Sequence, residues 1–351
     1  MRVGVAGASG YSGAELVRLL AAHPGAVLAK LAAGEQAGQP IDKVFPSLRG
    51  VSSQQLDETD WGALGEACDV VFLALPHGHA LDAVPQLLAS GCRVVDLGAD
   101  FRLRDPAAYR EHYGHDHRAP ELLAEAVYGL PERHRDEIAG ARLIANPGCY
   151  PTATALALLP LLPLLRRQPA PLVVVDAKSG VSGAGRKATT GVHFCEVSDS
   201  LKPYSPLAHR HQPEIEQLLG EALATPQPVA FVPHLVPMTR GILSCCYLQP
   251  AGEGPLSELD QEEADALYGS AYEAEPFVRV LPAPELPATK NTLGSNLCDV
   301  AVRVDRQRRL VVAFAAIDNL VKGAAGQAVQ NFNLMFGFEE TTGLRSAPLF
   351  P

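Results

Sequence analysis

Short apolar runs alternate with amphipathic segments over the first third of the chain. The runs with the length and composition of buried strands are Val3–Ala6, Val27–Ala32, Val70–Leu75 and Arg93–Leu97. Between them, Gly13–Ala22 and Ala80–Ser90 have the apolar spacing of amphipathic helices. Such alternation is typical of an α/β fold built on a doubly wound parallel sheet. That is the fold class we predict for residues 1–148.

From residue 149 onwards the apolar runs are more widely spaced, which predicts an α+β domain with a mixed or antiparallel sheet over residues 149–317. The strands expected there are Leu172–Ala177, Val229–Val236, Leu243–Gln249 and a hairpin of Val300–Asp305 with Leu310–Ala316. The last amphipathic segment, Ala324–Phe336, predicts a helix that packs back on the first domain. We therefore assign residues 318–351 to the first domain as well.

The composition excludes several classes of protein. A formal net charge of −10 over 351 residues argues against a nucleic-acid partner, because neutralising phosphates requires clustered Lys and Arg. The most apolar stretch, residues 153–165, is too short to span a bilayer, and the N-terminus has no signal-peptide pattern. Seven cysteines without paired spacing predict neither disulfides nor a metal site. We therefore expect a cytoplasmic protein.

A glycine-rich turn follows the first predicted strand and reads Gly7-Ala8-Ser9-Gly10-Tyr11-Ser12-Gly13. Glycines let a backbone turn tightly and approach a pyrophosphate, and the N-terminus of the following helix presents unpaired N–H groups. Ser9 and Ser12 add hydroxyl donors. The turn therefore predicts a Rossmann-type dinucleotide site.

The second predicted strand ends without an acidic residue, since no acid occurs between Lys30 and Glu35. Enzymes that use NAD often place an acid there, where it accepts hydrogen bonds from the ribose hydroxyls. The absence of that acid favours NADP, with Lys30 as the nearest cation for its additional phosphate.

Cys149 lies in the segment Asn146-Pro147-Gly148-Cys149-Tyr150-Pro151-Thr152, ahead of an apolar helical stretch. Pro151 favours the first position of a helix, which places Cys149 at the N-terminus. The helix dipole and unpaired amides stabilise a thiolate there, and the same amides can hold an oxyanion. We predict that Cys149 is a nucleophile. The remaining cysteines are interpreted as core residues: Cys68, Cys92, Cys195, Cys245, Cys246 and Cys298.

A thiolate beside a nicotinamide indicates a thioester route, in which an acyl phosphate is reduced to an aldehyde. That route needs a group that accepts and returns a proton. His209 and His211 lie just before a predicted helix that contains Glu214, a candidate to orient an imidazole or to complement the helix dipole. The spacing alone does not choose between the two histidines.

The chain resembles the N-acetyl-gamma-glutamyl-phosphate reductase family of arginine biosynthesis over essentially its whole length. The matching stretches are residues 6–13, 75–79 (LPHGH), 96–103 (DLGADFRL), 128–132 (YGLPE), 146–152, 179–186 (SGVSGAGR), 209–217 and 318–331. The resemblance implies a glyceraldehyde-3-phosphate-dehydrogenase-like architecture, NADPH as cofactor and Cys149 as nucleophile. It also implies a histidine of the His209-Arg210-His211 segment as the acid/base, for which we predict His211.

The resemblance further assigns two sets of binding residues. Those expected to contact the cofactor, besides the glycine turn and Lys30, are His77, Gly78, Ser179, Gly180, Gly183 and Asn319. Those expected to bind the substrate are Arg102, Ser182, Gly185 and Arg186. A homo-oligomer of two or four subunits is expected.

Three alternatives remain at this point. A nucleotide-sensing Rossmann protein would not need Cys149 or the two histidines. An aspartate-semialdehyde dehydrogenase would perform the same chemistry on a smaller acyl phosphate. A reductase of lysine biosynthesis would take an aminoadipyl phosphate from an acidic carrier protein, which requires a basic docking surface that the charge balance does not favour.

Overall fold

The computed structural model describes residues 1–167, 169–223 and 225–350 and divides into two compact units. The first unit comprises residues 1–148 and 324–346, and the second comprises the described residues of 149–323 and 347–350. We assigned residues 318–351 to the first domain, but residues 347–350 group with the second unit, where the N–H of Leu349 donates to the carbonyl of Leu293 at 2.8 Å, and so do residues 318–323. Asp318 and Asn319 explain this, because they accept hydrogen bonds there from the N–H groups of Gly294 and Gly241, each at 2.7 Å.

The first unit contains a fully parallel six-stranded sheet with the strand order β2-β1-β3-β4-β6-β5. Its strands are β1 Arg2–Ala6, β2 Val27–Ala32, β3 Val70–Leu73, β4 Arg93–Asp96, β5 Val127–Tyr128 and β6 Leu143–Ala145. Most central positions are fully buried, as expected for a parallel sheet covered on both faces. The predicted doubly wound sheet is confirmed. The two short strands β5 and β6 were not predicted, because two or three residues carry no periodicity.

Helices connect these strands. They are α1 Tyr11–Ala21, α2 Ile41–Val44, α3 Trp61–Ala67, α4 Ala80–Ala89, α5 Pro106–Tyr113 and α6 Pro131–Gly140. The two that were predicted, α1 and α4, lie within two residues of the expected bounds. The buried face of α1 includes Leu16, Val17 and Leu20, which have the spacing of an apolar helical stripe. This packing fixes the N-terminus of α1 at the carboxyl edge of β1.

The second unit contains a seven-stranded mixed sheet with the strand order β11-β12-β13-β10-β7-β9-β8. Its strands are β7 Leu172–Gly180, β8 Lys202–Pro203, β9 Val229–Val236, β10 Ile242–Gln249, β11 Val278–Val280, β12 Cys298–Asp305 and β13 Leu310–Ile317. Strands β12 and β13 pair antiparallel, which confirms the predicted hairpin. The predicted mixed, largely antiparallel sheet is also confirmed.

The helices of the second unit are α7 Cys149–Leu158, α8 Leu162–Leu165, α9 Phe194–Val197, α10 Gln212–Leu223, α11 Pro255–Glu258 and α12 Gln261–Tyr272. Every residue of α7 from Tyr150 to Leu158 is buried, as expected for a central helix that is apolar all round. The helix packs on β10, β12 and β13. Pro151 is the third residue of α7 and not the first, because the helix already begins at Cys149.

A π-helical turn, Val321–Ala325, precedes the last helix, α13 Gly326–Met335. Helix α13 belongs to the first unit and packs on α1 and α6, so the predicted return of the chain is confirmed. No helix in the described part of the chain is long and apolar enough to cross a membrane.

Candidate active site

The glycine turn between β1 and α1 is shaped by two of its three glycines. Gly7 has φ +82°, and a Cβ atom there would lie 2.2 Å from the carbonyl oxygen of Ala74. A Cβ atom on Gly13 would lie 2.2 Å from the carbonyl oxygen of Gly7. Gly10 is different, because its Cβ would meet only that carbonyl oxygen, at 3.4 Å. The fold therefore requires glycine at positions 7 and 13, whereas at position 10 it leaves open space.

The N-terminus of α1 is suited to an anion. Its N-cap is Gly10, which has no side chain to cap the first amides, and its first turn contains no acidic residue. Ser9 and Ser12 are half-buried beside this end, and Tyr11 is exposed. Open amides at the start of an 11-residue helix present positive potential to a phosphate. These residues fit the pyrophosphate of a dinucleotide.

The N-terminus of α4 is occupied by a side chain of the same unit. The fully buried Asp100 accepts hydrogen bonds from the N–H of Gly78 at 2.8 Å, from the N–H of Ala80 at 3.1 Å and from the hydroxyl of Tyr109 at 2.8 Å. Gly78 has φ +87°, and the neighbouring His77 is exposed. Asp100 therefore holds the turn in which we predicted two cofactor contacts, and its charge complements this helix end.

Lys30, the cation predicted to bind the additional phosphate of NADP, pairs with Asp57 at 3.0 Å. The backbone of Asp57 runs beside the end of β2, where its N–H donates to Leu31 and its carbonyl accepts from Ala33. Asp57 therefore lies beside the end of β2 in the fold, although the sequence has no acidic residue directly after this strand. Sequence reasoning missed Asp57 because it comes from a loop 27 positions after Lys30.

The second unit contains a cavity of about 570 Å³. It brings together five of the predicted site residues, namely Cys149, Ser179, Gly183, His209 and His211. The other residues that line it are Tyr150, Ala184, Gly191, Val192, Lys202, Tyr204, Ser205, Ala208, Arg210 and Leu235. Predicted site residues of the same unit that lie outside this lining are Gly180, Ser182, Gly185, Arg186, Glu214 and Asn319.

Cys149 is the first residue of α7 and is half-exposed in the cavity. A Cβ atom on Gly323 would lie 2.8 Å from the Cβ of Cys149, so the backbone of Gly323 passes directly against this cysteine. Sequence reasoning did not single out Gly323 as a residue at this site. The sequence feature that could have indicated it is that Gly323 lies within residues 318–331, a stretch that matches the family.

Most of the other cysteines are buried thiols. Burial raises the pKa of Cys68 to about 11 and the pKa values of Cys92 and Cys246 to about 12, which keeps them protonated and unreactive. The interpretation of Cys195 as a core residue is wrong, because its side chain is exposed. It lies in α9, a four-residue helix on which only Val197 is buried.

His209 and His211 are both buried beside the cavity, with 9% and 8% of their surface exposed. The backbone N–H of His211 donates to Nδ1 of His209 at 3.0 Å, which leaves the proton of a neutral His209 on Nε2. The ring of His209 packs edge-to-face against Tyr150, Tyr204 and Phe231. Burial, and secondarily the charge of Arg210, lowers the pKa of His209 to about 4.

Two tyrosines complete the wall around the histidines. The hydroxyl of Tyr204 donates to that of Tyr150 at 3.0 Å, and the hydroxyl of Tyr150 donates to the carbonyl oxygen of His234 at 3.3 Å. Glu214 lies in the first turn of α10 and is 1% exposed. Its carboxylate is at the helix end where negative charge is favourable.

Asn319 uses both ends of its amide inside the second unit. Its Nδ2 donates to the hydroxyl of Ser182 at 3.0 Å, and its Oδ1 accepts from the N–H of Gly241 at 2.7 Å. Ser179 donates its hydroxyl to the carbonyl of Gly180 at 3.0 Å. Asn319 therefore anchors the turn that follows β7, and its predicted contact with nicotinamide stays a prediction. Gly185, with φ +85°, and the exposed Arg186 end this turn.

Arg102 is a residue of the first unit and is 7% exposed. Its Nε donates to the carbonyl of Asn146 at 2.8 Å, and its Nη2 donates to the carbonyl of Leu97 at 2.7 Å. Asn146 also accepts a hydrogen bond on Oδ1 from Asn331 at 3.0 Å. Arg102 thus holds the loop at Asn146, three residues before Cys149, and its predicted role as a substrate ligand stays a prediction.

Several cavity residues were not predicted. Tyr150 and Arg210 lie inside recognised motifs, next to Cys149 and between the two histidines, and this proximity could have indicated them. Lys202, Tyr204 and Leu235 lie outside any motif and reach the cavity through the pairing of β8 with β9. Within the described residues, no group of three or more His, Cys, Asp or Glu side chains could hold a metal ion.

Comparison with known proteins defines the class. Residues 2–141 match the family described as "Semialdehyde dehydrogenase, NAD binding domain", and residues 149–319 match "Semialdehyde dehydrogenase, dimerisation domain". Aspartate semialdehyde dehydrogenase II of Vibrio cholerae has a similar fold, with a TM-score of 0.70 at 17% identity over 95% of this chain and 97% of that chain. The Candida albicans enzyme, solved with NADP, has a TM-score of 0.68 at 18% identity over 95% and 98%. The chain is a member of the semialdehyde dehydrogenase class.

Curated relatives narrow this class. The N-acetyl-gamma-glutamyl-phosphate reductase of Symbiobacterium thermophilum is 51% identical over 358 residues, which cover 100% of this chain and 99% of the relative. The protein of the same name from Desulforudis audaxviator is 49% identical over 351 residues and the full length of both chains. The chain belongs to the N-acetyl-gamma-glutamyl-phosphate reductase family, which confirms the resemblance drawn from its motifs.

Proposed function

We propose that the chain is an oxidoreductase that uses NADPH to reduce N-acetyl-L-glutamyl 5-phosphate to N-acetyl-L-glutamate 5-semialdehyde, a step of arginine biosynthesis. The observation that carries this proposal is the cavity of the second unit. It joins a half-exposed cysteine at a helix N-terminus to two buried histidines. A cysteine and a histidine in one pocket are the groups that thioester chemistry needs. The seven free cysteines suit the reducing cytoplasm, where we place the protein.

Cys149 attacks the carbonyl carbon of the acyl phosphate through its sulfur. A carbon–sulfur bond forms, the carbon–oxygen bond to phosphate breaks, and inorganic phosphate leaves with the bonding electron pair. The oxyanion that forms on the carbonyl oxygen can be held by backbone amides at the start of α7, which has ten residues. The product of this half-reaction is an acyl thioester on Cys149.

His211 is the residue we assign to the proton transfers. It takes the proton of the Cys149 thiol during the attack and returns it to the oxygen of the thiohemiacetal that hydride transfer leaves on Cys149. The carbon–sulfur bond then breaks, the hydroxyl proton passes back to sulfur, and the aldehyde is released. The surroundings of His209 support this choice, because its Nδ1 accepts a backbone hydrogen bond and its pKa is lowered to about 4. A base acts best when its pKa lies near the working pH. His209 is therefore a neutral positioning residue in this mechanism.

The cofactor is proposed to bind to the first unit, at the glycine turn and the N-terminus of α1. When bound, NADPH supplies the hydride that reduces the thioester to the level of the aldehyde. The open space at Gly10 and the uncapped amides support this placement. The preference for NADPH rests on the basic side chain of Lys30. The ion pair with Asp57 weakens this preference, because it offsets the charge of Lys30.

Free N-acetylglutamyl phosphate is favoured over a substrate linked to an acidic carrier protein. Four of the arginines that could have contributed to a basic docking surface are buried or paired with acids. Arg102 is buried, while Arg110, Arg118 and Arg135 form ion pairs with Asp116, Asp82 and Glu340, respectively. These pairs reduce the positive potential that an acidic carrier would need for docking.

The homo-oligomer is proposed to form through the open face of the second unit's sheet. On this face, the half-buried side chains of Val174, Tyr247 and Val312 are paired across β7, β10 and β13, and the half-buried Phe314 lies two residues after Val312. An apolar cluster of this kind on a sheet face is typical of a subunit interface. The match of residues 149–319 to a dimerisation domain supports a dimer. Tyr247→Asp should convert the dimer to monomers in light-scattering measurements, and an unchanged mass would contradict this assignment.

A substrate comparison tests the proposed activity. Oxidation of NADPH is followed with N-acetylglutamyl phosphate, aspartyl phosphate and carrier-linked aminoadipyl phosphate. We expect the highest kcat/KM with the first substrate. A higher value with aspartyl phosphate would contradict the proposal. So would a higher value with the carrier-linked substrate that falls steeply with salt. NADPH binding without turnover of any of the three would favour a nucleotide sensor.

A further inference from the structure

We propose that Lys202 and Arg210 form an anion subsite in the cavity of the second unit, which binds an anionic oxygen group of the substrate. The ligand chemistry is a phosphate or a carboxylate, and the proposed substrate carries both. This inference rests on the proposed function for the identity of the substrate. The existence of the subsite does not depend on it and is tested separately below.

Over the residues that the structure describes, the cavity is lined by positively charged side chains and by no negatively charged ones. Among the described residues that line it, Lys202 and Arg210 are cationic, two are histidines, and none is a carboxylate. The whole chain has 39 acidic residues against 29 basic ones. A lining with two basic residues and no acidic residue among those described therefore differs from the composition of the chain as a whole. A cavity walled by one sign of charge concentrates ligands of the opposite sign. This cavity therefore favours anions in a protein of net negative charge.

The backbone holds Lys202 at the cavity wall. Strand β8 pairs with β9 so that Lys202 is opposite Leu235, which also lines the cavity. Two residues later the N–H of Tyr204 donates to the carbonyl of Pro233 at 3.0 Å. In the described part of the chain Lys202 enters no ion pair, and its side chain is exposed. Its ammonium group is therefore available to a ligand.

Arg210 lies between His209 and His211 on the same wall. Its charge reaches both His209 and Tyr204: after burial it is the second cause of the lowered pKa of His209, and it opposes the rise that burial causes in the pKa of Tyr204. An arginine presents a planar fork that matches the geometry of phosphate and carboxylate. Together the two cations give the cavity two points of attachment for a substrate with two anionic groups. The predicted arginines 102 and 186 lie outside this lining.

The first test measures the electrostatics of the cavity without any substrate. Cys149 is alkylated with iodoacetate, an anion, and with iodoacetamide, its neutral analogue, in a Cys195→Ser background. The ratio of the two rates cancels changes in the reactivity of the thiolate itself. We expect Lys202→Met and Arg210→Met each to lower this ratio about 10-fold, the scale of one lost charge-assisted contact. Lys290→Met, an exposed lysine of the same unit outside the lining, should leave it unchanged.

The second test identifies the anionic group. The reaction is run in reverse with semialdehyde, inorganic phosphate and NADP. A rise of about 10-fold or more in the KM for phosphate assigns the altered side chain to the phosphate, whereas a similar rise in the KM for the semialdehyde assigns it to the carboxylate. The Kd for NADPH should stay within about twofold in both variants.

The outcomes separate the two proposals. If the alkylation ratio falls in both variants but no acyl phosphate is turned over, the anion subsite stands and the proposed function fails. If wild type reduces the acyl phosphate but the ratio stays at its wild-type value in both variants, the subsite is overturned and the proposed function stands. A ratio that also falls in Lys290→Met would show a general charge effect and would overturn the subsite as well.

Discussion

The glycine turn of the first unit and the cavity of the second unit are both suited to anions, but they achieve this by different means. At the glycine turn the positive potential comes from backbone amides at the start of α1. In the cavity it comes from the side chains of Lys202 and Arg210. Replacing a side chain by anything other than proline leaves the backbone N–H in place, whereas a side-chain cation is lost when its residue is replaced. The first site therefore depends on shape, and the second depends on individual charges and protons.

After the loss of Cys149 itself, the largest expected effect is at the proton-transfer group of the second unit. His211→Ala should lower kcat by about 10²–10⁴-fold, the usual contribution of a general acid/base. Binding of the acyl phosphate should weaken far less. His209→Ala, the matched control on the same turn, should be milder. Steady-state kinetics of both variants would reverse our assignment if His209→Ala had the larger effect on kcat.

A smaller effect is expected at the glycine turn. Two variants there distinguish a glycine needed for cofactor binding from one needed for folding. Gly10→Ala should raise the Kd for NADPH by about 10-fold, because its Cβ would occupy the space near the pyrophosphate. The unfolding temperature should change little, since the fold has room for that atom. Gly13→Ala is the contrasting variant, because its Cβ would lie 2.2 Å from a carbonyl oxygen. It should lower the unfolding temperature, and equal destabilisation by both variants would contradict the distinction.

Two buried groups, one in each unit, should make opposite contributions to the pH dependence of stability. The folded pKa of His209, about 4, lies below its ordinary value of 6.5, so its contribution to stability is lost as the pH falls through this window. The folded pKa of Asp96, about 7, is raised from 3.8 by burial and by Asp100, so its contribution is lost as the pH rises through that window.

Urea unfolding of two variants between pH 4 and pH 7 checks these slopes. Relative to wild type, His209→Gln should become more stable as the pH falls, and Asp96→Asn should become more stable as the pH rises. Each change should amount to about 1–3 kcal/mol. Parallel pH profiles for wild type and a variant would show that the residue in question does not have the shifted pKa.

The smallest effect is expected at Lys30. Lys30→Ala should reduce the ratio of kcat/KM for NADPH to that for NADH by about threefold, because an exposed charge contact contributes little. Asp57→Asn removes the competing acid and should change the ratio in the opposite direction. Equal efficiency of the wild type with both cofactors would show that the missing acid in the sequence was misinterpreted.

The first unit was largely predictable from sequence because its fold and its glycine turn are local. Continuous apolar runs indicate buried parallel strands, and the turn is contiguous from Gly7 to Gly13. What escaped prediction there depends on tertiary contacts. Asp57 reaches Lys30 from a distant loop, and Asp100 reaches Gly78 across 22 positions.

The cavity of the second unit was only partly predictable. Cys149 and the two histidines lie at or just before the N-termini of helices that can be predicted from the sequence. Lys202 and Tyr204 are not, because the segment between β7 and α10 has little regular structure and β8 is only two residues long. Their place at the cavity follows from pairing with β9, which no local pattern indicates.

The central claim is that Cys149 carries the acyl group during turnover, and one measurement tests it most directly. Wild type is mixed with N-acetylglutamyl phosphate in the absence of NADPH, quenched in acid and analysed by intact mass and peptide mapping. We predict a mass increase of one N-acetylglutamyl group on Cys149, release of one equivalent of phosphate, and loss of both signals and of turnover in Cys149→Ser. Substantial reductase activity in Cys149→Ser, or an acyl group mapped to another residue, would contradict the account.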